Sequence, residues 1–268
     1  MIKYMTGFDR TSDCAFFCVS ALLFAASTAA TIIWSTSMSA MGEMPMPGGW
    51  TMSMAWMRMP GQTWSSAAVS FLGMWVVMMV AMKLPSLVPM LWRYRLAVRS
   101  TDETRLDLLT VLVGVGYFFV WTVFGMAAFP LGAALVEVEM RQSAVARVVP
   151  IAIGVVVLIA GALQFSAWKT HHLACCREET GRGGAMPADS GTAWRFGLRL
   201  GLHCMQCCVG PIAVLLVIGV MDLRAMAVVT AAITVERLAP AGESVARAIG
   251  AALVGAGLFL IAQAAGGR

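Results

Sequence analysis

SSAAVSFLGMWVVMMVAMKLPSLVPM, residues 65–90, carries a single charged side chain, Lys83. As a helix rising 1.5 Å per residue, a stretch of this length clears the roughly 30 Å hydrocarbon core of a bilayer. Comparable apolar runs lie at about 15–36, 107–130, 148–168, 198–220, 224–238 and 246–265. The run at 224–238 is short and ends in Glu236 and Arg237. The run at 15–36 is long, follows charged residues and lacks a small-residue cleavage site, so it reads as a retained helix and not as a secretory signal. The expected fold class is all-α: a polytopic bundle of about seven transmembrane helices, with 1–268 forming a single integral membrane domain.

Composition agrees. Hydrophobic residues make up 59% of the chain and charged residues 12%, against about a quarter charged in an ordinary soluble domain. The net charge of +5 does not indicate nucleic acid, because its distribution follows the apolar runs. Lys3, Arg10, Arg93, Arg95, Arg99, Arg105, Lys169, Arg177, Arg182, Arg195, Arg199, Arg237 and Arg247 all fall on one side of the expected topology. Only Arg58, Arg141, Arg147, Arg224 and Arg268 fall on the other, with Lys83 inside a span. The positive-inside rule then predicts a cytoplasmic N-terminus. The longest stretches between spans are 37–64, expected outside, and 169–197, expected inside. The inner one includes TGRGGAMPADSGT, residues 180–192, whose small and polar residues read as a flexible loop.

Two segments of the inner side hold all three histidines and five of the seven cysteines: HHLACC, residues 171–176, and HCMQCC, residues 203–208. His171 and Cys175 are four apart, as are His172 and Cys176, and His203 and Cys207. Cys204 is three from Cys207 and four from Cys208. Positions three and four apart share a helix face, so each segment offers two or three donors on one side. Imidazole and thiolate together suit copper(I), zinc or an iron–sulfur cluster. A reducing cytoplasm argues against a structural disulfide. Cys-x-x-Cys also occurs as a redox pair, and buried cysteines also serve as small hydrophobes, the reading that fits Cys14 and Cys18. A structural zinc that staples the two helices is a further alternative.

The outer stretch MGEMPMPGGWTMSMAWMRMPGQTW, residues 41–64, carries Met41, Met44, Met46, Met52, Met54, Met57 and Met59 among Trp50, Trp56 and Trp64. Thioethers are soft ligands, so a methionine-rich outer loop opposite a Cys/His inner face fits a protein that meets copper on both sides. Interfacial tryptophan and flexible methionine also fit a loop lying on the bilayer. Met74, Met78 and Met82 form a one-face stripe that reads as packing. Lys83 is expected to snorkel toward the boundary. Gln164 and Glu236 are isolated polar groups near the Cys/His depth, suited to interhelical hydrogen bonds or to orienting a ligand. No nucleophile–base–orienter set, phosphate-binding loop or haem motif is present, so the sequence offers no catalytic residue.

Four places carry a resemblance. WVVMMVAMKLPSLVPM (75–90), QFSAWKTHHLACCR (164–177), GLRLGLHCMQCCVG (197–210) and the pair Glu236–Arg237 resemble a bacterial family of predicted metal-binding integral membrane proteins whose helical Cys-x-x-Cys-Cys is its most specific feature. The chain departs from that pattern at Lys83, where methionine is expected, and at His172, which stands for a cysteine. The resemblance implies metal ligation by Cys176, Cys204, Cys207 and Cys208, with His172 as a substituted ligand. His171, Cys175 and His203 join the candidate set on spacing alone. The expected function is soft-metal binding, copper first and zinc or an iron–sulfur cluster as alternatives, for transport or delivery in the bacterial inner membrane. The expected partners are the lipid bilayer and a metallochaperone or larger membrane complex. The alternative is an accessory or electron-transfer subunit with a structural or redox metal.

Overall fold

A computed structural model describes residues 8–40, 42, 44–46, 50–52, 56–58, 61–98, 103–178 and 189–266. Among them the chain forms α1 (Phe8–Ala40), a short hairpin of β1 (Met44–Met46) and β2 (Trp50–Met52), α2 (Trp64–Ala97), α3 (Glu103–Arg141), α4 (Ser143–Leu163), α5 (Ala167–Glu178), α6 (Ser190–Ile218), α7 (Leu223–Leu238) and α8 (Gly242–Gly266). The expected all-α bundle is what forms. The hairpin is an addition to it, in antiparallel register with Met44 opposite Met52 and Met46 opposite Trp50. Met41, Met54, Met59 and residues 180–188 of the expected flexible loop lie outside the described residues.

Six helices (α1, α2, α3, α4, α6 and α8) are long and apolar enough to cross a membrane. The expected count of seven included 224–238. That segment, α7, has 16 residues, about 24 Å of helix, and packs mainly against α2, α6 and α8. It nevertheless links the two ends of the bundle. At one end Ser35 of α1 donates to the Met221 carbonyl just before α7. At the other Glu236 meets Gln164 and Lys169. Leu22, Ile33, Val111, Leu131 and Phe259 point outward on the long helices. An apolar exterior of this kind belongs against an apolar solvent.

Several helices run beyond the expected spans, and around the expected inner loop three boundaries differ for a local reason. α4 stops at Leu163 and does not run to 168. Gln164, Phe165 and Ser166 make tight backbone bonds to Gly161, Ala162 and Leu163, the i→i−3 pattern that tightens a last turn. The Ser166 hydroxyl then accepts from the Lys169 amide and restarts the chain as α5. Residues 169–178 are therefore helix and not loop. α6 begins at Ser190, because the Asp189 carboxylate caps the amides of Gly191 and Thr192.

Packing is closest where glycines meet. α4 and α8 approach antiparallel through Gly154, Gly161, Gly250 and Gly257. A Cβ at Gly257 would lie 2.7 Å from the Leu158 amide nitrogen and 2.9 Å from the Gly154 oxygen. Small residues are what allow helices in lipid to pack backbone to backbone. Gly257→Leu is expected to cost about 1–3 kcal/mol through overpacking. Gly255→Leu, whose Cβ meets open space, should cost far less. Thermal unfolding of the two variants in detergent checks this, and equal midpoints would contradict the close approach. α3 and α6 run side by side in the same direction, with Gly116 against Trp194 and Gly201 against Tyr117. That pair, with α2 between its flanks, encloses the main core of Trp75, Met78, Leu87, Tyr117, Trp121 and Leu200.

Candidate metal centre

Cys204, Cys207 and Cys208 occupy one face of α6 and are 0%, 2% and 1% exposed. Their sulfurs lie within 4.8 Å of one another, with Cys204–Cys208 at 3.8 Å and Cys207–Cys208 at 3.6 Å. Cys176 on α5, fully buried, brings a fourth sulfur to 3.7 Å from Cys207. The packing of α5 on α6 thus joins the two cysteine segments. These separations are far longer than the roughly 2.05 Å of a disulfide. They are close to the edge of a thiolate polyhedron, where metal–sulfur bonds of about 2.3 Å place neighbouring sulfurs roughly 3.8–4.0 Å apart. The sulfurs of Cys204, Cys207 and Cys208 are therefore close enough together to share one soft cation, and Cys176 borders that group through Cys207.

A polar shell surrounds the sulfurs. Arg237 of α7 donates from Nη1 to the Cys204 sulfur at 3.3 Å, to the Ser86 hydroxyl at 3.0 Å and to the Tyr117 hydroxyl at 3.4 Å. Its Nη2 lies 2.9 Å from the Met90 sulfur. Tyr117 is also 2.8 Å from the Cys204 sulfur. Lys169 of α5 pairs with Glu236 at 2.7 Å, and Gln164 donates to the other carboxylate oxygen at 2.9 Å. Burial favours the neutral amine of Lys169, but the adjacent Glu236 carboxylate outweighs it, and the pKa ends above the ordinary lysine value. Lys169 is therefore a firm ammonium.

Lys169 also donates to the Cys207 carbonyl at 2.5 Å. That carbonyl is available because Pro211, four residues on within α6, has no amide hydrogen to return. The proline thus opens an acceptor beside the cysteines, and the neighbouring helix fills it.

Lys83 does not snorkel. It is fully buried, and its ammonium rests 4.3 Å from the centre of the Trp121 ring. Its Nζ has no hydrogen-bond partner among the described residues. Met78 and Met82 are buried in the core, as a packing stripe would be.

The histidines neighbour one another. His171 and His172 have ring centroids 5.2 Å apart, and His172 and His203 5.8 Å. The His171 Nε2 is 3.7 Å from the Cys175 sulfur. The eight candidates thus divide into a buried group (Cys176, Cys204, Cys207, Cys208) and an outer one (His171, His172, His203, Cys175). Cys14 and Cys18 are exposed on α1, away from both.

Sequence reasoning missed Tyr117, Ser86 and Met90. Tyr117 did carry a signal, as an isolated hydroxyl in an apolar span that needs a partner. Ser86 and Met90 carried none, since serine and methionine are ordinary in such helices.

Residues 72–260 match the model of a family, PpoB2, described as copper chaperone. No curated protein and no solved structure matches the chain. The matched stretch includes the four buried cysteines and all the polar groups around them, and the chain belongs to this copper chaperone family.

Proposed function

We propose that the chain carries copper(I) as cargo on the thiolates of Cys176, Cys204, Cys207 and Cys208 and delivers it to a protein in or at the same membrane. The observation that carries this reading is the meeting of the Cys204, Cys207 and Cys208 sulfurs within 4.8 Å of one another, with the Cys176 sulfur of α5 at 3.7 Å from Cys207. Charge supports it. Lys83, Lys169 and Arg237 are buried around the sulfurs against one carboxylate, Glu236. An interior with that excess of basic groups is costly in an apolar medium unless anions join it. Copper(I) held by these four thiolates would carry a net charge of −3, an anionic counterpart to that excess. Arg237 donates to the Cys204 sulfur and favours its charged form when metal is bound, and the Lys169–Glu236 pair keeps α5, and Cys176 with it, against α6 and α7.

The same reading places the protein in the bacterial inner membrane, with the cysteine-bearing end toward the cytoplasm. There the positive-inside bias is met and thiols stay reduced. The methionine-rich segment would then face outward, where thioethers resist the oxidation that removes thiols.

Metal content of the purified protein tests the reading. Wild type is expected to hold about one tightly bound copper per chain, and Cys204→Ser/Cys207→Ser to insert normally and hold almost none, since soft thiolate donors set the affinity. Unchanged copper in the variant would remove the assignment. Zinc at equal stoichiometry, lost in the variant, would point to a structural staple between α5 and α6.

A further inference from the structure

The four thiols are at most 2% exposed, so a cargo ion cannot reach them directly from solvent. The α5–α6 face supplies a way in. His172 of α5 lies beside His203 of α6, and one turn further along each helix Cys176 lies beside Cys207. The first pair is half-buried and the second buried. His171, which is exposed, and Cys175, half-buried, flank the first pair from the solvent side. Donors therefore change with depth from imidazole at the surface to thiol in the core.

We infer that His171, His172 and His203, with Cys175, form a second copper site, an outer station from which cargo passes to the buried thiols. This rests on the copper reading of the thiol cluster. Among the described residues the buried Nδ1 of His172 has no hydrogen-bond partner, which leaves it free of a competing use there. The rings do not converge on one point. Imidazole ligation at roughly 2.0–2.1 Å requires them to turn about their side-chain bonds. The station is therefore open and binds more weakly than the thiols, as a transit site must.

Transfer is ligand exchange with no change of oxidation state. Each imidazole nitrogen–copper bond that breaks is replaced by a sulfur–copper bond, and the proton of an entering thiol passes to the departing imidazole or to water.

Anaerobic titration of full-length protein in detergent with copper(I), against a chromogenic copper(I) chelator, tests the inference. Wild type is expected to show a tight and a weaker equivalent. His171→Ala/His172→Ala/His203→Ala should lose the weaker one, keep the tight one and fill it more slowly. The retained tight site also shows that the variant folds. His171→Ala alone, at an exposed position, should weaken the outer equivalent only. Cys204→Ser/Cys207→Ser should keep the weaker equivalent. A histidine variant that titrates and loads as wild type does would overturn the outer station. A cysteine variant that keeps the tight equivalent would overturn the thiol reading, a separate failure.

Discussion

Glu236→Ala is expected to destabilise the bundle by about 3–5 kcal/mol, the cost of leaving one member of a buried pair without its partner. Glu236 is 1% exposed and Lys169 3%, so neither water nor a headgroup replaces the lost carboxylate. Gln164 loses its acceptor in the same change. Thermal or SDS-induced unfolding in detergent should show the loss. Lys169→Met together with Glu236→Leu should recover much of it, because an apolar pair of similar volume needs no partner. The double variant separates stability from function. It restores the fold but removes the ammonium from the Cys207 carbonyl and relaxes the hold on α5, so copper retention should stay low. Recovery of both together would mean that the pair has no role at the sulfurs. A single variant as stable as wild type would contradict the burial itself.

The second large effect is expected at Arg237. Arg237→Met removes the donor to Cys204, Ser86 and Tyr117 at once. Removing a partner that orients and charges a metal ligand typically costs about 10–100-fold in affinity. The same range is expected for copper(I) here, read by chelator competition. Tyr117→Phe, which removes one hydroxyl near the same sulfur, should cost less than Arg237→Met. Arg237→Lys should recover only part of the affinity, since an ammonium does not reproduce the planar fork that reaches Cys204 and Ser86 from Nη1 and Met90 from Nη2. Equal copper affinity in wild type and Arg237→Met would show that the guanidinium is only structural.

Much of this arrangement is legible in the sequence, and the rest fails for definable reasons. The long spans announce themselves because lipid leaves little choice of composition. The i, i+3, i+4 spacing of Cys204, Cys207 and Cys208 gives one helix face without further information. What spacing cannot show is a break. A three-residue turn at 164–166, made of ordinary residues, separates α4 from α5 and decides that Cys176 turns inward while His171 remains outside. Lys83 misleads for a related reason. Near the end of a span a lysine usually reaches out, and only the presence of Trp121, far away in sequence, makes the interior the better place. Long-range partners such as Tyr117 and Ser86 follow from the packing of α2, α3 and α7 around α6, which periodicity does not encode. The histidines and cysteines looked like one ligand set because they share two segments. Depth along the α5–α6 face divides them.

The shell around the sulfurs draws Ser86 from α2, Tyr117 from α3, Lys169 from α5 and Arg237 from α7. Biogenesis must respect that dispersal. A nascent chain that has released α6 already bears all four thiols, but without α7 it lacks both the guanidinium and the carboxylate that organise them. Cargo-holding competence thus arrives only once Glu236 and Arg237 of α7 have been made. A half-translated polypeptide, or one cut short before α7, has no finished receptacle in which to sequester a toxic ion.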